Sequence, residues 1–108
     1  MNDLALGEVI AERHLECRQR RDGLSAEVVV RVGKPLPDTS PGGDWYCPFR
    51  IVGLGDDTIR AAYGFDSVQA LMLAFKLVGS YLQHFQHSLG DSITWLGEKD
   101  LGFPVPEG

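Results

Sequence analysis

Two histidines near the end of an apolar, helix-like segment are the first residues in this chain that could do chemistry. His84 and His87 are three residues apart, a spacing that can place two imidazoles on one metal ion. A structural zinc site needs four ligands and a catalytic site generally needs three, but His14, Cys17 and Cys47 show no ligand spacing that would complete the pair. We therefore predict neither a metal site nor a cofactor.

Cys47 is the candidate nucleophile, because a thiolate needs only a nearby base such as a histidine. No cysteine-protease signature surrounds it, and free cysteines are among the most buried residue types, so a role in the core is the favoured interpretation. The alternative is a small-ligand-binding protein or a modest enzyme that uses the space between the 33–44 loop and the strand that follows it. The pocket candidates for that alternative are His14, Asp44, Cys47 and His84.

Arginines crowd one predicted hairpin. Six of the ten basic residues fall between residues 13 and 34, and Arg18, Arg20 and Arg21 lie at the predicted turn. A solvated hairpin tip is the favoured interpretation. The alternative is a basic contact patch for an acidic partner, where such an asymmetry of charge would steer the encounter.

One long helix is the main element that must position these residues. From Asp66 to Ser88, apolar residues recur at the i, i+3, i+4, i+7 spacing of an amphipathic helix. Asp66 can accept hydrogen bonds from the free amides of the first turn, and Gly90 suits the left-handed residue that closes a helix. The face predicted to pack on a sheet consists of Val68, Leu71, Met72, Phe75, Val78, Gly79, Leu82 and Phe85.

Within that face, Leu71 and Phe75 are predicted to be fully buried, whereas Lys76 and Gln83 are predicted to face solvent.

Alternating apolar residues and turn signals predict the other elements. Pro48, which lacks an amide hydrogen, is expected at an edge, a bulge or the start of its strand. The predicted strands are 7–17, 26–32, 45–54, 58–65 and 93–96, with a loose lead-in at 1–6, a long loop at 33–44 and an extended tail at 97–108. The fold class is therefore predicted to be α+β: a single domain, 1–108, with an antiparallel meander sheet of four to five strands and one long amphipathic helix on one face, in the order β-β-β-β-α-β.

A sheet covered by one helix leaves a face or an edge open, and aromatic residues there would form a contact surface. Tyr46, Tyr63 and Trp95 are the candidates, and pairing of two copies about a twofold axis is the commonest solution. The competing expectation is a monomer whose tail, LGFPVP, folds back over the open sheet face and buries these aromatic residues.

Composition excludes several classes of protein. The net charge of −5 argues against nonspecific nucleic-acid binding. No apolar run approaches the ~18–20 residues of a membrane-spanning helix, and the first residues lack the pattern of a signal peptide. Two cysteines fit reduced thiols better than a disulfide framework, so we expect a cytoplasmic protein.

Several segments together resemble a known family. GEVIAERHLE, GGDWYCPF, the GLGD turn, the GFDSVQAL helix entry and the closing DLGFPVP resemble a set of short bacterial proteins classed only as a domain of unknown function. The resemblance covers nearly the whole chain, and WYCP and DSVQAL are its most specific parts. It implies a bacterial, stand-alone, cytoplasmic protein and brings no activity, cofactor or catalytic residue with it.

The favoured functional hypothesis is a non-catalytic protein-interaction module, of the immunity-like kind that neutralises a toxin or of a kind that joins a bacterial complex. Its partner would be another protein or a second copy of this chain, and neither a membrane nor nucleic acid. The predicted interaction residues are Arg18, Arg20, Arg21, Tyr46, Tyr63 and Trp95.

Overall fold

The computed structural model describes residues 4–40 and 43–104. Parts of three predictions lie outside these residues: residues 1–3 of the lead-in, 41–42 of the long loop and 105–108 of the tail. The described chain forms six strands and one helix. They are β1 (Val9–Arg18), β2 (Ser25–Gly33), β3 (Leu36–Pro37), β4 (Trp45–Val52), β5 (Arg60–Gly64), α1 (Ser67–Leu89) and β6 (Ser92–Thr94).

The strands form one antiparallel sheet whose order follows from the pairs made by β4. Phe49 pairs with Val32 of β2 and with Arg60 of β5, so these two strands lie on opposite sides of β4. Tyr46 pairs with Tyr63 of β5 and with Leu36 of β3, which places β3 on the same side as β2. β1 pairs with β2 on one side and with β6 on the other. The predicted α+β fold and meander are confirmed, with the short β3 as an additional strand inside the predicted 33–44 loop.

Pro48 lies in the middle of β4 and is fully buried. At this point the neighbour of β4 changes from β3 to β2. Tyr46 of β4 pairs with Leu36 of β3, and Phe49 of β4 pairs with Val32 of β2. A proline is tolerated inside this sheet because the ladder on that side is already interrupted there. Its Cγ packs against Gly33, where a Cβ would come within 2.8 Å of it.

Both ends of α1 are capped as the sequence predicts. The Asp66 carboxylate accepts a hydrogen bond from the backbone N–H of Gln69 at 2.7 Å, and the Gln69 side-chain oxygen accepts one from Phe65 N–H at 2.7 Å. The first bond satisfies an amide hydrogen that the first turn leaves free, and the second satisfies the amide hydrogen of the residue before the cap. At the other end Gly90 adopts φ 68° and donates its N–H to Gln86 O, as expected of a left-handed cap.

The helix contacts the sheet through a narrower face than predicted. Its buried residues are Ala70, Ala74, Val78, Gly79 and Leu82. The short side chains of Ala70 and Ala74 bring the helix close to β4 and β5, so larger neighbours are moved out of the contact. Leu71 and Phe75 are therefore only partly buried, which corrects the prediction of full burial, while Lys76 is exposed as predicted and Gln83 is partly so.

In the predicted strand 58–65, the alternating apolar residues are Ile59, Ala61, Tyr63 and Phe65, but the residue that the structure buries belongs to the other set. Ala62 is the buried residue of β5, while Tyr63 and the following Phe65 are 58% and 81% exposed. The larger apolar side chains are on the outward-facing set, so the alternation in the sequence does not identify the buried face. Pairing with the inward-facing Cys47 of β4 decides which set is buried.

The two terminal segments pack on opposite sides of the sheet. The segment after β6 lies on the helix side, where the Phe103 and Phe75 rings are 6.2 Å apart and the Pro104 carbonyl lies directly over Gly79. The first described residues lie on the other side, where the Leu6 carbonyl covers Gly33. The described part of the tail therefore covers the helix, and not the open sheet face as in the expected monomer.

Candidate interaction surface

The two cysteines lie in the core. Cys47 is completely buried and its Sγ lies 3.4 Å from the carbonyl oxygen of Gly33. Burial raises the pKa of the Cys47 thiol to about 11. Burial also raises the pKa of Cys17, and the carboxylate of Asp91, 3.9 Å from its Sγ, raises it further. Both thiols are protonated and shielded from solvent, so neither has the properties of a nucleophile.

His14 lies on the opposite face of the sheet from the helix and is exposed. Its ring nitrogens are 2.8 Å from a Glu12 carboxylate oxygen and 3.1 Å from one of Glu27, and these hydrogen bonds raise the pKa of His14. Arg31 donates to Glu12 at 3.0 Å, and this bond, followed by the one from His14, lowers the pKa of Glu12. The network lies across β1 and β2 beside Val29, the cross-strand partner of His14, which is only 6% exposed although it is on the outer face.

The four pocket candidates do not converge on one site. His84 lies on the last turns of α1, with its Nε2 3.3 Å from Ser88 Oγ. Asp44 lines an open cavity beside β5, His14 lines a different one on the outer face of the sheet, and Cys47 is enclosed in the core. Within residues 4–40 and 43–104, no group of three or more His, Cys, Asp and Glu side chains is arranged to hold a metal ion.

The arginines of the first hairpin have separate surroundings. Arg21 makes an ion pair with its neighbour Asp22 at 3.4 Å. The Arg20 side chain lies against Gly90, close enough that a Cβ there would meet it at 3.0 Å, and its cation suits the negative end of the helix dipole. Arg18 is exposed. Arg20 thus has a structural role at the helix end, and a contact patch formed by these three residues stays a prediction.

The three candidate aromatic residues are divided between two places. Tyr46 and Tyr63 are cross-strand neighbours whose ring centroids are 6.3 Å apart, on the outer face of the sheet. Trp95 lies on the helix side, where the Arg13 guanidinium stacks 3.7 Å from the ring centroid and donates to the carbonyl of Leu101 at 2.9 Å. Arg13, the misfit in an otherwise apolar face of β1, is therefore accommodated by the C-terminal segment.

A stripe along α1 is covered at one end only. Val68, Met72, Phe75 and Gly79 follow one another at intervals of four, three and four residues, which places them on one line along the helix. The C-terminal segment covers Phe75 and Gly79. Val68 and Met72 are 63% and 59% exposed, and Phe65, just before the helix, is 81% exposed.

We call Phe65, Val68 and Met72 the Phe65–Met72 surface. A cavity of about 440 Å³ opens beside Phe65, and the acidic residues Asp38 and Asp44 line it together with Gln69 and Leu73. Tyr63 lines the same cavity, so the exposed apolar side chains continue from the helix onto β5. An exposed apolar surface with a polar rim is typical of a protein contact site.

Sequence reasoning missed this surface because it assigned Val68 and Met72 to the core. A signal was present: the apolar arc of the helix is too wide for one sheet contact, and Ala70, Ala74 and Val78 form a second line at intervals of four. Two adjacent apolar lines on one helix indicate two contacts, of which the sheet supplies one.

The family model of a domain of unknown function, DUF6968, matches residues 11–105. The chain belongs to this family. The predicted resemblance to a family without an assigned activity is thereby confirmed. No curated protein and no solved structure matches the chain. Among the described residues, no helix has the length and apolarity needed to cross a membrane.

Proposed function

We propose that this chain is a non-catalytic protein-interaction module and that the Phe65–Met72 surface is its contact site. The observation that carries the proposal is the exposure of Phe65, Val68 and Met72, at 81%, 63% and 59%, at the start of a helix whose other side packs on the sheet. Keeping three large apolar side chains in water costs each of them the ~1.5–3 kcal/mol that burial would contribute, which a partner can recover.

The chemistry of the remaining side chains supports a binding role over a catalytic one. The Cys47 thiol is enclosed and has a pKa of about 11, and the pocket candidates line separate cavities. Nucleophilic catalysis requires a base within hydrogen-bond reach of an accessible nucleophile. The Cys47 alternative therefore has no support from the arrangement of these side chains.

In this proposal the module works in the cytoplasm of a bacterial cell and contacts another protein there, and its net charge of −5 argues against nucleic acid as the partner. Neutralising a toxin is one task of this kind, and joining a multiprotein complex is another. Both tasks need a specific surface and no chemistry, which is what the Phe65–Met72 surface offers.

Site-specific photo-crosslinking in cells of the source organism tests the proposal. A photoreactive amino acid replaces Met72 in one variant and Leu24 in a second variant. Leu24 is a suitable control because it is 65% exposed and apolar but lies on the β1–β2 hairpin. We expect discrete protein adducts from position 72 that are absent at position 24. The same adducts from both positions, or none from position 72, would contradict the proposal.

A further inference from the structure

The geometry points to a second copy of this chain as the occupant of the Phe65–Met72 surface, with the two α1 helices antiparallel about a twofold axis. This inference rests on the proposed function, because it names the partner of the same surface. It differs from the dimer predicted from the sequence, which used Tyr46, Tyr63 and Trp95. Trp95 is already covered by Arg13, whereas Val68 and Met72 are exposed.

The distribution of charge around the surface is self-complementary. Lys76 is the only Lys, Arg, Asp or Glu in the α1 sequence, and it is exposed one turn beyond Met72. The opposite end of the surface is acidic, since Asp38 and Asp44 line the cavity beside Phe65. An apolar surface with a cation at one end and carboxylates at the other matches an inverted copy of itself.

Only the antiparallel arrangement of the two helices brings the lysine of each copy close to the acidic end of the other copy's surface. Lys76 is ten residues beyond the cap Asp66, and at 1.5 Å per residue this separation is about 15 Å, too far for Lys76 to reach the acidic end of its own surface. With the twofold axis between Val68 and Met72, Val68 of one copy faces Met72 of the other. Lys76 then lies beside Gly64 of the second copy, which lines the same cavity as Asp44.

A twofold arrangement also closes the assembly. The same patch serves both copies, so pairing stops at a dimer and covers the Phe65–Met72 surface of each copy. A stable interface buries about 800 Å² on each partner, so the contact must extend beyond three side chains. The neighbouring Leu73, Gln69 and Tyr63 around the cavity supply that extension.

Chemical crosslinking of a cysteine variant tests the arrangement. Met72→Cys places a thiol beside the axis, and the two native cysteines do not compete because both are buried. Purified Met72→Cys is treated with a short bismaleimide at micromolar protein concentration. We expect most of it to become covalent dimer, whereas Leu24→Cys, exposed on the distant hairpin, should give little.

A charge exchange tests the register by sedimentation equilibrium. Lys76→Glu and Asp44→Lys should each raise the dimer dissociation constant about tenfold, because each replaces an attraction by a repulsion at two symmetric places. The double variant, which carries both changes in every copy, should recover most of the wild-type affinity. Circular dichroism checks that each variant is folded, which is expected because both residues are exposed.

The outcomes separate this inference from the proposed function. Efficient crosslinking at position 72 together with recovery in the double variant supports the dimer. A wild-type chain that sediments as an 11.9 kDa monomer at all concentrations overturns the dimer. If the photo-crosslinker at position 72 still captures a different protein, the proposed function stands without the dimer; if it captures nothing, both are overturned.

Discussion

Phe75 and Gly79 lie under the C-terminal segment, whereas Val68 and Met72, on the same line of α1 and nearer its start, are open to solvent. All four residues follow the same helical spacing, and Phe75 is large and apolar like Val68 and Met72, so size and polarity do not separate the covered side chain from the exposed ones. What differs is the distance along the helix that the described tail reaches. The covered half of the stripe is therefore a structural contact, whereas the uncovered half is a surface available for binding.

The largest expected effect is the difference in the free energy of unfolding between truncating a side chain in the covered half of the stripe and truncating one in the uncovered half. Phe75→Ala should lower the free energy of unfolding by about 2–3 kcal/mol, somewhat less than the ~3–5 kcal/mol of a fully buried phenylalanine, because Phe75 is only partly buried. Met72→Ala should change it by less than about 0.5 kcal/mol in the monomer. Urea unfolding below the concentration of self-association measures both values. Equal losses would mean that the two halves of the stripe do not differ.

Gly79→Ala examines how closely the tail approaches the helix. In a helix exposed to solvent, this change should raise the free energy of unfolding by about 1 kcal/mol. Here a Cβ would collide with the backbone of Pro104, so we expect a loss of about 1–2 kcal/mol from overpacking. Thermal unfolding of Gly79→Ala beside Ser80→Ala, one residue along the same helix, measures the effect. A gain in stability would show that the C-terminal segment is not held against Gly79.

Leu96 is an exposed apolar residue outside the Phe65–Met72 surface, and its backbone is strained. It is 84% exposed with φ 52°, and with Gly97 at φ 82° it forms a two-residue hairpin turn closed by two 2.9 Å hydrogen bonds between Trp95 and Glu98. Leu96→Asn should raise the free energy of unfolding by about 1 kcal/mol, since asparagine tolerates the left-handed region and leucine does not. Calorimetry measures the free energy of unfolding of this variant. An unchanged or lower value would show that a contact made by the Leu96 side chain offsets the backbone strain.

The smallest effect concerns the charged network of Glu12, His14, Glu27 and Arg31 on the outer face of the sheet. Glu12→Gln should lower the pKa of His14, because its hydrogen bond to Glu12 is the largest cause of the raised value. In the wild-type chain, the hydrogen bonds of protonated His14 contribute to the free energy of unfolding. This contribution is fully present below pH 6.5 and is lost as the pH rises through the higher pKa of the folded state. NMR titration of the imidazole measures the change, with Glu8→Gln as a control; an unchanged His14 pKa would contradict the contact.

The short-range features of this protein were predictable from its sequence. The ends of α1 were predicted within one residue because Asp66 and Gly90 satisfy free backbone groups in a way that depends on neighbouring residues alone. The first hairpin and the α+β class were predictable for a similar reason, since alternation and turn chemistry are local. The small β3 was not predicted, because two residues carry no periodicity and only their pairing with β4 makes them a strand.

Which apolar residues are buried was decided by the tertiary structure. The sequence determined that α1 has a wide apolar arc, but the close approach of Ala70 and Ala74 to β4 and β5 turned the helix so that Val68 and Met72 face outward. The phase of β5 was set in the same way, by pairing Ala62 with Cys47 and leaving Tyr63 exposed. Burial depends on which surfaces meet, and those surfaces are brought together by residues far apart in the chain. The Phe65–Met72 surface therefore emerges only when the sheet, the helix and the C-terminal segment have been packed together.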